Sequence, residues 1–193
     1  MTALPKKKKY TPEEYLALEE KAEYRSEYVN GYIFKMAGAT EAHIQISFNT
    51  ARLFSDKLRG KCRAYQSEMK VWVEESRTYF YPDVTVVCGE RRFHKGNTGI
   101  VENPILLVEV LSRSTEDYDK NDKFFTYQNI ESFQEYVLIS QHKPVVQRYV
   151  KQADENWVIK ATIGLKSKVY FESVDVEFSL EDIYDLIEFE ENL

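Results

Sequence analysis

The sequence predicts one α/β domain, a mixed β-sheet with helices on its faces, and three observations predict it. Helical and strand patterns alternate as α-ββ-α-βββ-α-β with further strands behind, an order that builds a mixed sheet between helices. Ile105 to Leu111 is a nearly continuous apolar run, as expected of a strand covered on both faces. The 193 residues, 43% hydrophobic and 30% charged, suit one ordinary globular core. Residues 1–9 read as a flexible basic tail and 10–193 as the domain.

Thr11-Pro12-Glu13-Glu14 is a helix start, with a capping residue, proline at the first helical position and acids in the first turn. That helix is expected to reach about Lys21. Tyr24 to Met36 holds Asn30-Gly31 between strand formers, a hairpin signal. Residues 41–59 place Ile44, Phe48, Ala51 and Phe54 at three- and four-residue steps, an amphipathic helix ended by Gly60. Tyr65 to Val73 reads as one strand and Tyr79 to Val87 as another, whose Pro82 a strand tolerates at a start, an edge or a bulge. Residues 89–103 form a polar loop. After the 105–111 strand, Ser112 to Thr115 is a turn and N-cap into a helix of about 115–129. Glu135 to Ser140 reads as a buried strand, Val145 to Val150 as an edge-like one and Trp157 to Thr162 as another. Glu181 to Ile187 closes the chain as a short helix.

Several classes are excluded. No apolar run is long enough to cross a bilayer and the N-terminus lacks a signal-peptide region, so a cytoplasmic protein is expected. Cys62 and Cys88 make neither a disulfide framework nor a metal knuckle, and read as small buried thiols. A net charge of −6 is awkward for a nucleic-acid binder, which normally clusters Lys and Arg. Two basic patches soften the objection. Lys6 to Lys9 reads as solvated tail, whereas Arg91-Arg92-Phe93-His94-Lys95 lies between two strands of interest.

Glu109 is the most informative residue, because it interrupts the apolar strand. A carboxylate there is costly to bury unless paired, hydrogen-bonded or bound to a metal. An ion pair with a helix cation explains it as well as a metal does, until Asp83 is considered. Asp83 follows Pro82 among apolar and aromatic strand residues. Two carboxylates converging from such strands repel, and a divalent cation is the simplest way to keep both ionised. Oxygen donors suit Mg²⁺, with Mn²⁺ able to substitute, better than zinc. On the following helix Asp119, Lys123 and Tyr127 are four residues apart and share a face. That face can look back at the carboxylates, and Lys123 can then counter a phosphate's charge or orient water. A surface Asp119–Lys123 pair of little weight is the competing explanation.

Pro82-Asp83, Val108-Glu109-Val110-Leu111-Ser112, Ser114-Thr115, Asp119, Lys123, Tyr127 and Glu135-Tyr136 together resemble the putative restriction endonuclease family abundant in cyanobacteria, within the PD-(D/E)XK superfamily. The resemblance spans roughly residues 10–165. It implies a restriction-endonuclease-like fold and a Mg²⁺-dependent endonuclease hydrolysing phosphodiester bonds in DNA. The superfamily lysine two residues after the glutamate falls on Leu111, and the resemblance implies Lys123 in its place. Asp83 and Glu109 would hold the metal with the Val110 carbonyl. Glu27 resembles an acid brought from an early element, although a solvent-facing hairpin glutamate reads equally well. His43 resembles a recurrent histidine, but a cap or packing role is the better reading and it is left outside the catalytic set. Gln66 and Glu68 share a strand face and are weaker candidates. Arg91, Arg92 and Lys95 are candidate backbone-phosphate contacts. Nucleases that cut both strands are frequently two-fold dimers, so a homodimer is a prior. The alternative is an inactive nuclease fold that binds DNA or a partner, favoured by the net charge and the displaced lysine. A glycosidase-like carboxylate pair lacks any sugar-stacking pattern.

Overall fold

The computed structural model describes residues 8–112 and 115–189. Lys6 and Lys7 of the lysine run, and Ser114, lie outside the described residues. Lys8 and Lys9 stand over the rings of Tyr10 and Tyr32, so the end of the expected tail packs on the domain.

Helix α1 (Pro12–Glu19) begins with a capping box: the Thr11 hydroxyl accepts the Glu14 N–H and the Glu14 carboxylate accepts the Thr11 N–H. It buries Tyr15, whose hydroxyl donates to the Ser26 carbonyl at 2.6 Å and fixes the start of β1 (Ser26–Val29). Asn30 and Gly31, with φ of 46° and 95°, turn the chain into β2 (Tyr32–Lys35). Helix α2 (Glu41–Lys57) is capped by Thr40. Its buried face is the expected one only in part: Ala51 and Phe54 are buried, but Ile44 and Phe48 are exposed, and Ile46, Ser47, Asn49 and Thr50 are buried in their stead. The polar members of that face have partners, Asn49 donating to the Ile183 and Asp185 carbonyls and Ser47 to the Asp83 carbonyl. Apolar spacing alone therefore aims the C-terminal half of the helix correctly and the N-terminal half wrongly.

Both expected middle strands are divided. Tyr65 to Val73 becomes β3 (Cys62–Gln66) and β4 (Lys70–Val73); Tyr79 to Val87 becomes β5 (Thr78–Phe80) and β6 (Val84–Cys88). Each pair is split between two sheets. One has the order β2-β1-β5-β4-β7, where β7 is Ile100–Val101. The other has the order β11-β10-β9-β8-β6-β3, with β8 Leu106–Leu111, β9 Glu135–Ser140, β10 Val145–Lys151 and β11 Trp157–Ile163. The single expected sheet is thus two mixed sheets plus a hairpin, β12 (Lys168–Phe171) and β13 (Val176–Ser179). Strand β10 is internal, and β11 takes the edge expected of it. The short last helix is α4 (Leu180–Ile183), capped by Ser179.

Cys62 and Cys88 face each other across β3 and β6 and form a disulfide, which corrects the reading of two buried thiols. Spacing in sequence could not show it, because antiparallel pairing sets their opposition.

Between β8 and β9 runs helix α3, spanning 116–127 and widened to a π turn over Asp119–Lys123. Strand alternation sorts the core into two faces. Leu106, Val108 and Val110 join one cluster with Phe54 and Phe171. Leu107 and Leu111 join the other with Phe80, Tyr127 and Tyr136. Glu109 shares the parity of this second set, so it points to the side where α3 and the other sheet lie.

Candidate active site

Pro82 and Asp83 sit where the chain leaves one sheet and enters the other. The β6–β8 ladder ends at the Val84–Val108 pair. Beyond it the Asp83 carboxylate takes over, accepting the Val110 N–H on Oδ2 at 2.7 Å. Its Oδ1 lies 2.8 Å from His43 Nε2. Asp83 is therefore held from both sides beside the end of the Glu109 strand. Two helix positions one turn apart hold this corner, since His43 meets the Asp83 side chain and Ser47 donates to its carbonyl.

Four residues from distant parts of the chain meet next to it. Glu27, Glu109, Asp119 and Lys123 are all buried. Lys123 Nζ lies 3.1 Å from Glu27 Oε1, 3.1 Å from Glu109 Oε1 and 3.4 Å from Asp119 Oδ1. The Tyr127 hydroxyl donates to the same Glu109 oxygen at 3.1 Å, and Glu109 Oε2 accepts no hydrogen bond among the described residues. The helix spacing that put Asp119, Lys123 and Tyr127 on one face survives the π turn. Glu27 faces the cluster rather than solvent.

The electrostatics follow from three acids on one ammonium. Burial pushes the Glu109 carboxyl well above the usual range; Lys123 opposes this, while Asp119, Asp83 and Glu27 add to it. Burial alone would pull Lys123 down, yet Glu109, Glu27 and Asp119 hold it well above its ordinary value. Burial also works against the His43 imidazolium, and the Asp83 hydrogen bond and charge raise it nonetheless. The shifts agree in sense: the cluster is short of positive charge and holds what it has. Burial, with Glu109 second, keeps the Tyr127 hydroxyl protonated as a donor.

His43 was set aside on sequence grounds, and its partner makes it part of the site; the available signal was its place three residues after the Thr40 cap. Gln66 and Glu68 line the groove above the cluster, and Glu68 pairs with Arg25. Arg91, Arg92 and Lys95 do not line it: both arginines are exposed elsewhere and Lys95 pairs with Glu13. The loop between the site strands folds away from the groove, which their sequence proximity could not reveal. Among the described residues no three His, Cys, Asp or Glu side chains are disposed to chelate an ion directly. The donor set nevertheless suits a hard divalent cation, being oxygen-rich, buried and in excess of its cations.

The Uma2 family model, described as "Putative restriction endonuclease", matches residues 12–180. The chain belongs to the Uma2 family. Two proteins of Synechocystis sp. strain PCC 6803 are similar along nearly their whole length, each called an uncharacterized protein. To sll1609 the chain is 38% identical, covering 88% of this chain and 92% of that one. To slr1290 it is 34% identical, covering 91% and 92%. The crystal structure of a putative nuclease belonging to DUF820 from Anabaena variabilis superposes with a TM-score of 0.75 at 20% identity. That match covers 93% of this chain and 99% of the other, and it shows a shared fold. The Uma2 chain is thus a mixed α/β protein of restriction-endonuclease-like fold, in a family described as putative restriction endonucleases. No described helix is long and apolar enough to cross a membrane.

Proposed function

We propose that this Uma2 protein is a Mg²⁺-dependent DNA endonuclease, with Asp83, Glu109 and the Val110 carbonyl as metal ligands. The observation that carries the reading is the buried excess of carboxylates over cations around Lys123. A structural ion pair needs one acid, whereas three acids with Asp83 beside them make a receptor for more positive charge. When bound, a divalent cation supplies Lewis-acid polarisation of the phosphoryl group and lowers the pKa of the attacking water. Asp83 is oriented for ligation by His43 and the Val110 N–H. The Tyr127 hydroxyl and Lys123 hold Glu109 by one oxygen, leaving Oε2 for ligation. Lys123 stays protonated, and its charge can stabilise the anion that develops at phosphorus, the part given in the superfamily to the position of Leu111. Glu27 and Asp119 keep Lys123 charged and in place.

Calorimetric titration with Mn²⁺ tests this directly. Wild type is expected to bind one ion, with Asp83→Asn and Glu109→Gln each losing the binding isotherm while remaining folded. Equal heats for all three proteins would sink the assignment. The rival, an inactive fold that binds DNA or a partner, draws on the net charge of −6 and the displaced lysine and predicts no metal binding by any of the three proteins.

A further inference from the structure

The groove over the site is lined by eight Asp and Glu residues and only five Lys and Arg. Three of those cations are already opposed, Lys123 by its three carboxylates, Arg25 by Glu68 and Lys120 by Glu116. A protein that grips duplex DNA neutralises phosphates with clustered Lys and Arg, and this wall has the opposite sign. It has something else to offer. Five aromatic side chains are exposed among the described residues, and three of them line this one groove: Tyr24 at 53%, Phe34 at 50% and Phe125 at 64%. Exposed ring faces are stacking surfaces for unpaired bases, an affinity source that bases held inside a duplex stack cannot use. Lys35, with no carboxylate at ion-pair distance among the described residues, stands 4.2 Å from the Tyr24 ring centroid and lines the same groove. The ammonium covers one face of that ring, so a base stacked on the other face would carry its phosphate near this charge.

We infer that the groove takes DNA whose bases are unpaired at the site, a single strand or an opened end, held by stacking on Tyr24, Phe34 and Phe125. The inference rests on the nuclease reading for the site's purpose, but binding tests it separately. Fluorescence anisotropy of wild type in EDTA would compare a labelled single strand with the same sequence as a duplex over a range of salt. The single strand is expected to bind at least about tenfold tighter than the duplex at every salt concentration. Phe34→Ala with Phe125→Ala is expected to weaken single-strand binding by roughly 5- to 150-fold per lost stack. Trp at both positions should restore it. Duplex binding as tight as single-strand binding, or a double variant that binds like wild type, overturns the inference. So does a sedimentation result in which the rings hold a wild-type dimer that the variant breaks without loss of strand binding. Cleavage is scored apart, in Mn²⁺. Strand binding with no cleavage of either DNA defeats the nuclease reading and leaves this inference, whereas cleavage of duplex alone does the reverse.

Discussion

Glu109 and Lys123 are acid and base in one buried cluster, so removing either has a different consequence. Replacing Glu109 by Gln leaves Lys123 with Glu27 and Asp119, and the amide oxygen can still accept from Tyr127. No cation is stranded. The folded-state pKa of Glu109 is raised, so its contribution is fully present below the unfolded value and is lost as pH rises through the folded one. Gln does not titrate there. Metal-free Glu109→Gln should therefore gain stability relative to wild type as pH climbs from about 4.5, the ordinary glutamate value, toward neutrality. Thermal melts across that range check the sign, and a variant that loses ground with rising pH contradicts it. Lys123→Met leaves three buried carboxylates without their cation. At neutral pH it should cost about 3–5 kcal/mol in urea denaturation. The deficit should shrink at acid pH, where protonation removes the repulsion; a pH-independent loss would mean that the packing of the Lys123 stem was what mattered. Much of this site was legible: Glu109 stood out as one charge in an apolar strand, and Lys123 through its helical spacing. His43 was not, because its partner lies forty residues away and only the fold brings them together.

Among the elements, β9 and β10 are tied to the β12–β13 hairpin by a second buried charge pair, away from the groove. Arg148 lies 3.1 Å from Glu135 Oε1, and Glu135 Oε2 accepts both the backbone N–H and the hydroxyl of Ser173. Glu135 is fully buried. Arg148→Met should therefore lower stability by about 3–5 kcal/mol, roughly 6–20 °C in melting temperature, while metal binding in the groove stays as in wild type. An unchanged melt would show that the serine hydrogen bonds suffice. Hairpin and helix starts were readable because they depend on local chemistry: Asn30-Gly31 supplies the positive φ values and Thr11 the cap. Strand division was not. Tyr79 to Val87 carries one continuous β pattern, and the transfer between sheets at Pro82 is imposed by which neighbours each half pairs with. The buried face of α2 was legible only at Ala51 and Phe54, for a related reason. Its buried Ser47, Asn49 and Thr50 are satisfied by hydrogen bonds that no hydrophobic periodicity records.

At the scale of the whole molecule, two sheets meet at Asp83, and the groove lies along their junction. The Cys62–Cys88 disulfide closes a loop of sequence separation 26 that contains β4, β5 and Asp83. Constraining the unfolded chain over such a loop is worth about 3.5 kcal/mol. Reductant, or Cys62→Ala with Cys88→Ala, should accordingly shift the urea midpoint downward by a matching amount; coincident curves would mean that the two cysteines are unlinked in the purified protein. The fold class was legible from the order of elements, but the partition into two sheets and the groove between them depends on long-range pairing. The central claim is that this groove cuts DNA with a metal held by Asp83 and Glu109. Its most direct measurement is cleavage of end-labelled single-stranded and duplex DNA by wild type and Glu109→Gln, each with Mn²⁺ and with EDTA. Wild type is expected to cleave in Mn²⁺ alone, and the folded variant not at all. Cleavage that persists in EDTA or in Glu109→Gln, or a wild type inert on every DNA offered, would contradict it.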